Sequence, residues 1–398
     1  MKSLFILAAG PLQLPVIVAA KRLGLRVVVA DGDQNAPGLR LADAAHIIDI
    51  TNPQACLAVA KSECVDGIIH ICSEVAMASL GLVNEVLFLH GPNCETVVRA
   101  TNKEQMRRAF ERGGAPSPRS IGVYTADEAI SAVSTIGGPT IFKPSRNSGS
   151  RGISFLPADC SPTQIRAVFQ RAFIESRDHS VVVEQFVEGP EFSVEALIWN
   201  KHVEIVAITE KNTTGRPSFV EMGHNEPARI NEADAMLVRT ATIKGIHALD
   251  LDWCAAHAEV KLSATGPFLM EIGARLGGDF ITTELVPRST GIDMVSAAIR
   301  LSLGEVPDLK PAHASQAAAI RYLAPKPGRV ILVKGVDSAR QFPGVMLVEI
   351  YVSQGDQIRE IDSSLARAGH VIAEGRTADE AVTNAQRAAD HICILTSI

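Results

Sequence analysis

One hairpin constrains this chain more than any other segment. Ala255 to Leu262 reads as a strand, Gly266 to Ile272 as its partner, and Ser263-Ala264-Thr265-Gly266 has the composition of a turn. A turn centred on Thr265 sets Glu259 opposite Glu271. Like charges at directly opposed positions destabilise a sheet by up to about 1 kcal/mol. A divalent cation between them would explain the pairing, and two carboxylates plus phosphate oxygens suit magnesium. Taken by themselves, the two residues read more simply as one exposed and one salt-bridged glutamate.

At 398 residues the chain is expected to divide into two to four domains, each with its own core. Apolar residues at 46% and charged residues at 21% fit a soluble globular protein. A net charge of −6 gives no reason to expect nucleic acid or an anionic membrane as partner. The seven cysteines form no CxxC pair and no Cys/His metal spacing, which fits a reducing cytosol and hence a cytoplasmic location. Lys2 followed by Leu4 to Ala9 could open a signal peptide. The apolar run breaks at Gly10-Pro11, however, and a helix-like stretch with Lys21 and Arg22 leads into Leu25 to Asp31. Strand, turn, helix, strand is the better parse. No run of about 18 apolar residues occurs, so no transmembrane helix is expected.

Residues 1–100 alternate short apolar strands (4–9, 26–30, 67–72) with helical stretches, which predicts a parallel α/β domain. Ala8-Ala9-Gly10-Pro11 ends the first strand but lacks the later glycines of a dinucleotide fingerprint. Thr101-x-x-Glu104, Thr125-x-x-Glu128 and Thr377-x-x-Glu380 read as capping boxes, and Ser161-Pro162 as a helix start with proline at N1. Breaks in composition at Pro116 to Pro118 and at Gly304 to Pro311 divide the chain at about 101–305 and 306–398, the last a small α+β segment.

Four further segments carry candidate chemistry. Lys143-Pro144 closes a strand, and Ser145 to Gly152 follows as a loop of small residues whose N–H groups could close around phosphate. It lacks the GxxxxGK[ST] of a Walker A loop. Glu184-Gln185-Phe186-Val187 runs into Gly189-Pro190-Glu191. A flat heterocycle could lie on Phe186 and Val187 there, with Glu191 accepting from ribose hydroxyls. Glu221-x-x-His224 precedes a proline and reads, on residue types alone, as a solvated loop pair. Ser73-Glu74 follows the strand 68–72 and reads equally as a helix N-cap.

Their order is the stronger signal. Lys103, Lys143 with its Ser/Gly loop, Glu184-x₆-Glu191, Glu259 and Glu271-Ile-Gly-Ala-Arg275 together resemble the ATP-grasp superfamily over residues 1–305. The resemblance implies an α/β domain, then an α+β ATP-grasp fold of two subdomains clasping ATP, with a lid at about 120–185. By position, Lys103, Lys143, Ser148, Gly149 and Ser150 would contact phosphates. Glu184, Phe186 and Val187 would frame adenine, and Glu191 would hold ribose. Glu259 and Glu271 would bind one or two magnesium ions, with manganese as a substitute. Many members carry asparagine two residues after the second metal glutamate, where this chain has Gly273, which puts the second metal in doubt.

Phe219 to Ala228 resembles the Glu-x-Gly-His segment of L-amino-acid ligases, and the tail around Gly328, Gly355-Asp356 and Arg367 to Gly375 is similar to their extra C-terminal domain. That resemblance implies a ligase joining two amino acids through an acyl phosphate. Glu221 would hold the first substrate's amino group, with His224 beside the reacting carboxyl group. Lys143 and Arg275 would be catalytic, and Arg275, Gly277, Gly278, Ser73 and Glu74 would border the substrates. The partners implied are small amino-acid or carboxylate and amine substrates, and a homodimer is compatible with it. Two rivals share the scaffold: an enzyme that phosphorylates bicarbonate or formate for transfer to a small amine, and a non-catalytic nucleotide-binding protein.

Overall fold

A computed structural model of the chain describes residues 1–147 and 151–397. Its first 70 residues form strands β1 (Ser3–Leu7), β2 (Arg26–Asp31), β3 (Ala44–Ile47) and β4 (Gly67–Ile69), a parallel sheet in the order β3-β2-β1-β4. Every residue of β1 is buried, as a parallel strand covered on both faces requires. The sequence reading missed β3, an edge strand of four residues containing His46, because it lacks an apolar run.

Residues 120–185 form a four-stranded antiparallel sheet of β5 (Ser120–Val123), β6 (Thr140–Pro144), β7 (Ser154–Leu156) and β8 (Val181–Gln185), ordered β5-β8-β6-β7. Helices Ala126–Ile136 and Pro162–Glu175 pack on it, each opened by a complete capping box, at Thr125/Glu128 and Ser161/Gln164. Phe142, Phe169, Val181, Val183 and Ile136 give this unit a core of its own.

The remaining body is built on an eight-stranded sheet. Strands β9 (Glu191–Trp199), β10 (His202–Thr213), β11 (Glu221–Glu226), β12 (Cys254–Ser263) and β13 (Gly266–Gly273) continue into β14 (Ala317–Leu323), β16 (Val345–Ile350) and β18 (Gly369–Gly375). Their order is β13-β12-β9-β10-β11-β14-β18-β16, so strands from beyond residue 305 extend the sheet that carries the two glutamates. Strands β15 (Gly328–Lys334), β17 (Gln357–Ile358) and β19 (Cys393–Ser397) form a separate small sheet. One hydrophobic core joins the first domain to this body: Leu4, Ile6 and Val29 cluster with Leu276, Ile281 and Leu285.

Three local expectations are corrected. The hairpin turns at Ala264-Thr265, since Ser263 pairs with Gly266. That register alone would set Glu259 opposite Met270. A bulge after Val260↔Leu269 shifts the pairing by one residue and brings Glu271 opposite Glu259. Thr101 is not an N-cap: it ends helix Cys94–Thr101, and its hydroxyl donates to the Val97 carbonyl. Asn102 caps helix Lys103–Arg112 instead, its side chain accepting from Gln105 N–H, while Glu104 accepts from Arg108 and the Tyr124 hydroxyl. Ser73 caps no helix either, because the next one starts at Met77 after Ala76. Asn102→Ala should therefore cost about 1 kcal/mol of stability by urea denaturation, and Thr101→Ala clearly less. Equal losses would restore Thr101 as the cap.

Candidate active site

The site lies where four adjacent strands, β12-β9-β10-β11, each project one charged residue. Lys211 of β10 is the centre. Its ammonium lies 2.8 Å from Glu191, 2.8 Å from Glu259 and 3.5 Å from Glu221. Burial disfavours its charge, yet Glu191, Glu259 and Glu221 together hold the lysine pKa well above the ordinary value. The carboxyl of Glu259 is held well below its ordinary range against the cost of burial, chiefly by Lys211 and then His257. Across the hairpin, Glu271 accepts from Lys103 at 3.1 Å, and Lys103 also donates to the Asn147 carbonyl at 3.0 Å. Neither glutamate is the exposed residue of the simpler reading. One ammonium facing three carboxylates leaves room for further positive charge, and carboxylate oxygens on paired strands fit a hard divalent cation. Among the described residues, no group of three or more His, Cys, Asp and Glu could hold a metal by itself, so phosphate oxygens would have to complete such a site.

A second buried network sits under the lid. Glu184 is fully buried, accepts from Arg107 Nε at 2.8 Å and pairs with Lys143 at 2.8 Å. Arg107 also donates to the Met270 carbonyl at 2.7 Å, which ties the lid strand β8 to the bulge beside Glu271. Burial raises the Glu184 carboxyl, but Arg107 and Lys143 outweigh it and its pKa is lowered. Glu184 thus reaches a ligand mainly through Lys143. Together with Phe186, Val187, Glu191, Phe219 and Lys261, these residues line a cleft between lid and body. Ser148, Gly149 and Ser150, expected on the phosphates, lie outside the described residues.

A larger cavity of about 450 Å³ adjoins the cleft and shares Lys211, Glu221 and Glu259 with it. It brings together the expected Ser73, Glu221, His224, Arg275 and Gly278. Glu221 and His224 lie on β11 rather than in a loop, and His224 is 1% exposed. The pairing of β11 with both β10 and β14 buries His224, while Glu221, beyond the β14 pairing, is half-buried. Gly277 stays at the edge for a steric reason: a Cβ there would stand 2.7 Å from His257 Nδ1 and 2.9 Å from both Glu195 oxygens. His257 and Glu195 share a 2.5 Å contact.

The geometry can be set beside known proteins. Residues 136–284 match the family model of the ATP-grasp domain, and residues 321–397 match that of L-amino acid ligase C-terminal domain 2. The chain carries an ATP-grasp domain. It is 26% identical over 98% of its length to the formate-dependent phosphoribosylglycinamide formyltransferase of Ignicoccus hospitalis, of which the match covers 95%. An uncharacterized protein of Sinorhizobium fredii is 27% identical over 94% of the chain and 79% of its own length. The fold of this chain is similar to that of an L-amino acid ligase from Bacillus licheniformis, with a TM-score of 0.85 over 100% of this chain and 99% of that one, at 21% identity. This ATP-grasp ligase is thus an ATP-dependent carboxylate–amine ligase, and no helix among its described residues is long and apolar enough to cross a membrane.

Several of the ligase's site residues escaped the sequence reading. Lys211, Arg107, Lys261, Glu195 and His257 sit in strands and a helix with no motif around them, and only their partners explain their burial. Asp279 and Arg367 also escaped it. They form a bidentate pair at 2.7 and 2.8 Å inside the larger cavity, 88 positions apart in sequence. Asp279 and Phe280 both adopt left-handed backbone, at φ 51° and 62°. Asp tolerates that region, whereas for Phe it costs on the order of 1 kcal/mol or more.

Glu74 faces Arg275 at 3.5 Å and stands beside Gly273, where a Cβ would lie 3.4 Å from the Glu74 carboxylate and 3.4 Å from the Arg275 guanidinium. Burial first, and the nearby Glu271 second, push its pKa up to about 7 from the ordinary 4.5. The folded protein therefore holds a proton that the unfolded chain releases between those values, and stability falls as pH rises through the window. In Glu74→Gln that dependence disappears. The Tm of the variant relative to wild type should rise from pH 5 to pH 8, and parallel Tm curves would place the Glu74 pKa at its ordinary value.

Proposed function

We propose that this ligase joins two amino acids into a dipeptide, releasing ADP and phosphate. The observation that carries the reading is the shared wall of the two cavities. Lys211, Glu221 and Glu259 border both the cleft under the lid and the larger cavity, so a γ-phosphate in one lies beside a carboxylate in the other. ATP would occupy the cleft, with Lys103 and Lys143 on its phosphates, Phe186 and Val187 against adenine and Glu191 at the ribose. Glu259 and Glu271 would hold magnesium, which neutralises the phosphate charge when bound.

The first amino acid would place its ammonium on Glu221 and its carboxylate near His224. Attack of that carboxylate on the γ-phosphorus gives an acyl phosphate and ADP. Positioning and charge neutralisation supply most of such catalysis, so no covalent protein nucleophile is required. The second substrate's amine then attacks the acyl carbon and expels phosphate. Arg275 would face the tetrahedral oxyanion. Glu74, which pairs with Arg275 at 3.5 Å, would hold that guanidinium in place. The free state of all seven cysteines supports a reducing, cytosolic setting for this chemistry.

The formate-using reading keeps support from the Ignicoccus relative. A phosphoribosyl amine brings a phosphate ester into the acceptor cavity. Arg367, a cation lining that cavity, already spends its donors on Asp279 and the Ser364 carbonyl, which leaves no open fork for the ester. Amino acids screened in pairs for ADP and phosphate release, against formate or bicarbonate with small amines, separate the two. Turnover only with the latter would reject dipeptide synthesis.

Two variants sharpen the test. Glu271→Gln should leave less than about a tenth of the ATP turnover, a loss of at least roughly 1.4 kcal/mol of barrier stabilisation. A higher residual rate would remove Glu271 from the metal site. Glu221→Ala should raise the amino-acid KM about ten- to a hundredfold, as expected for a lost charge-assisted hydrogen bond, with little change in the KM for ATP. Equal losses for both substrates would mean that Glu221 serves the nucleotide instead.

A further inference from the structure

The larger cavity contains a chain of contacts that the reaction as drawn above does not use. Asp279 accepts from both terminal nitrogens of Arg367, and the same carboxylate meets His224 Nε2 at 3.4 Å. Asp279 and Phe280 lie in consecutive left-handed residues, a conformation that persists only where neighbours enforce it. Those neighbours come from strands and loops beyond residue 320. Arg367 grips the carboxylate and lies 3.7 Å over the Tyr322 ring, whose hydroxyl donates to the Asp279 carbonyl at 3.3 Å. Phe280 stacks on His370 at 4.4 Å, and His370 is fixed by the Tyr351 hydroxyl at 2.6 Å. His224 itself is buried, and its Nδ1 has no partner among the described residues. Asp279 is therefore the one hydrogen-bond partner seen on the imidazole ring among the described residues, and Tyr322 meets the ring edge-on.

We propose that Asp279 is a positioning residue for His224, and that the C-terminal segment serves the reaction by holding Asp279 through Arg367. The inference rests on the reading of His224 as the imidazole beside the reacting carboxyl group. Asp279 gives His224 an acceptor at Nε2, which favours the tautomer protonated there and fixes the ring where it lines the cavity. Arg367 neutralises Asp279, so the carboxylate can stand in the cavity without repelling the substrate's own carboxylate. The strained turn brings the carboxylate within reach, and the aromatic and guanidinium contacts from the C-terminal segment keep the turn from relaxing.

Asp279→Asn separates charge from backbone, because Asn tolerates the left-handed region as Asp does. In the full-length protein it should leave the KM for ATP near wild type and lower the amino-acid-dependent kcat about ten- to a hundredfold. The same substitution on a His224→Ala background should cost nothing further in kcat. Arg367→Ala should show the same pattern, and Arg367→Lys, which retains one charged donor, should recover part of the rate. A readout independent of turnover is the ¹⁵N NMR signature of His224. Wild type should show Nε2 protonated, and Asp279→Asn should redistribute the proton between the nitrogens. An unchanged His224 signature, or additive losses in the double variant, would overturn the proposal while leaving dipeptide synthesis standing. If His224→Ala turns over amino-acid pairs at the wild-type rate, the imidazole has no task for Asp279 to support, and the proposal falls with the role given to His224 while dipeptide synthesis stands.

Discussion

Lys211 is an ammonium with almost no access to water, held by carboxylates from three neighbouring strands, and the rest of the site is arranged around that fact. Burying such a charge alone would shift it to its neutral form. Burying it among Glu191, Glu221 and Glu259 keeps it charged, and each carboxylate in turn is drawn inward by the lysine. The strand order β12-β9-β10-β11 is what makes this possible, because it sets side chains from four separate sequence regions on one face of one sheet. Two cavities then share a single charged wall, where a nucleotide and a carboxylate substrate can meet.

The same principle is repeated at smaller scale around the wall. Arg107, Glu184 and Lys143 form a buried line from the helix after the first domain to the lid strand, and Lys103 ties that helix to Glu271. Each pair joins segments that could otherwise move apart. Removing one partner of such a pair is expected to be more damaging than never having had it, since the survivor is left charged in a dry site. The lid's separate hydrophobic core contrasts with the continuous core that joins the first domain to the body. The contact between lid and body is thus mainly ionic, a kind of interface that bound phosphate can reorganise.

The aromatic pair Phe155 and Phe186 shows how the β10–β11 loop belongs to both cavities. Arg216 lies over both rings, at 4.2 and 4.6 Å, and the loop that carries it leads directly into Glu221. At a half-exposed arginine such contacts are worth about 0.5–1 kcal/mol each. They tie the segment leading into Glu221 to Phe155 of the 120–185 unit.

Local pattern was enough to place the opposed glutamates on a hairpin, the lid helices at Thr125 and Ser161, and the parallel start of the chain. These depend on alternation, turn composition and caps within about a dozen residues. Even so, the facing of Glu259 and Glu271 depends on a bulge at Met270 that turn composition does not encode. Thr101 read as the cap, but the preceding helix runs through it and Asn102 takes that role. What the sequence by itself determined was the hairpin, the caps at Thr125 and Ser161, most of the first parallel strands and the order of charged motifs. Which charges meet was decided only by tertiary structure: Lys211 with three glutamates, Arg107 with Glu184, Arg367 with Asp279. Those pairings span up to 88 residues and follow from sheet order and strand register, and neither leaves a local trace in the chain.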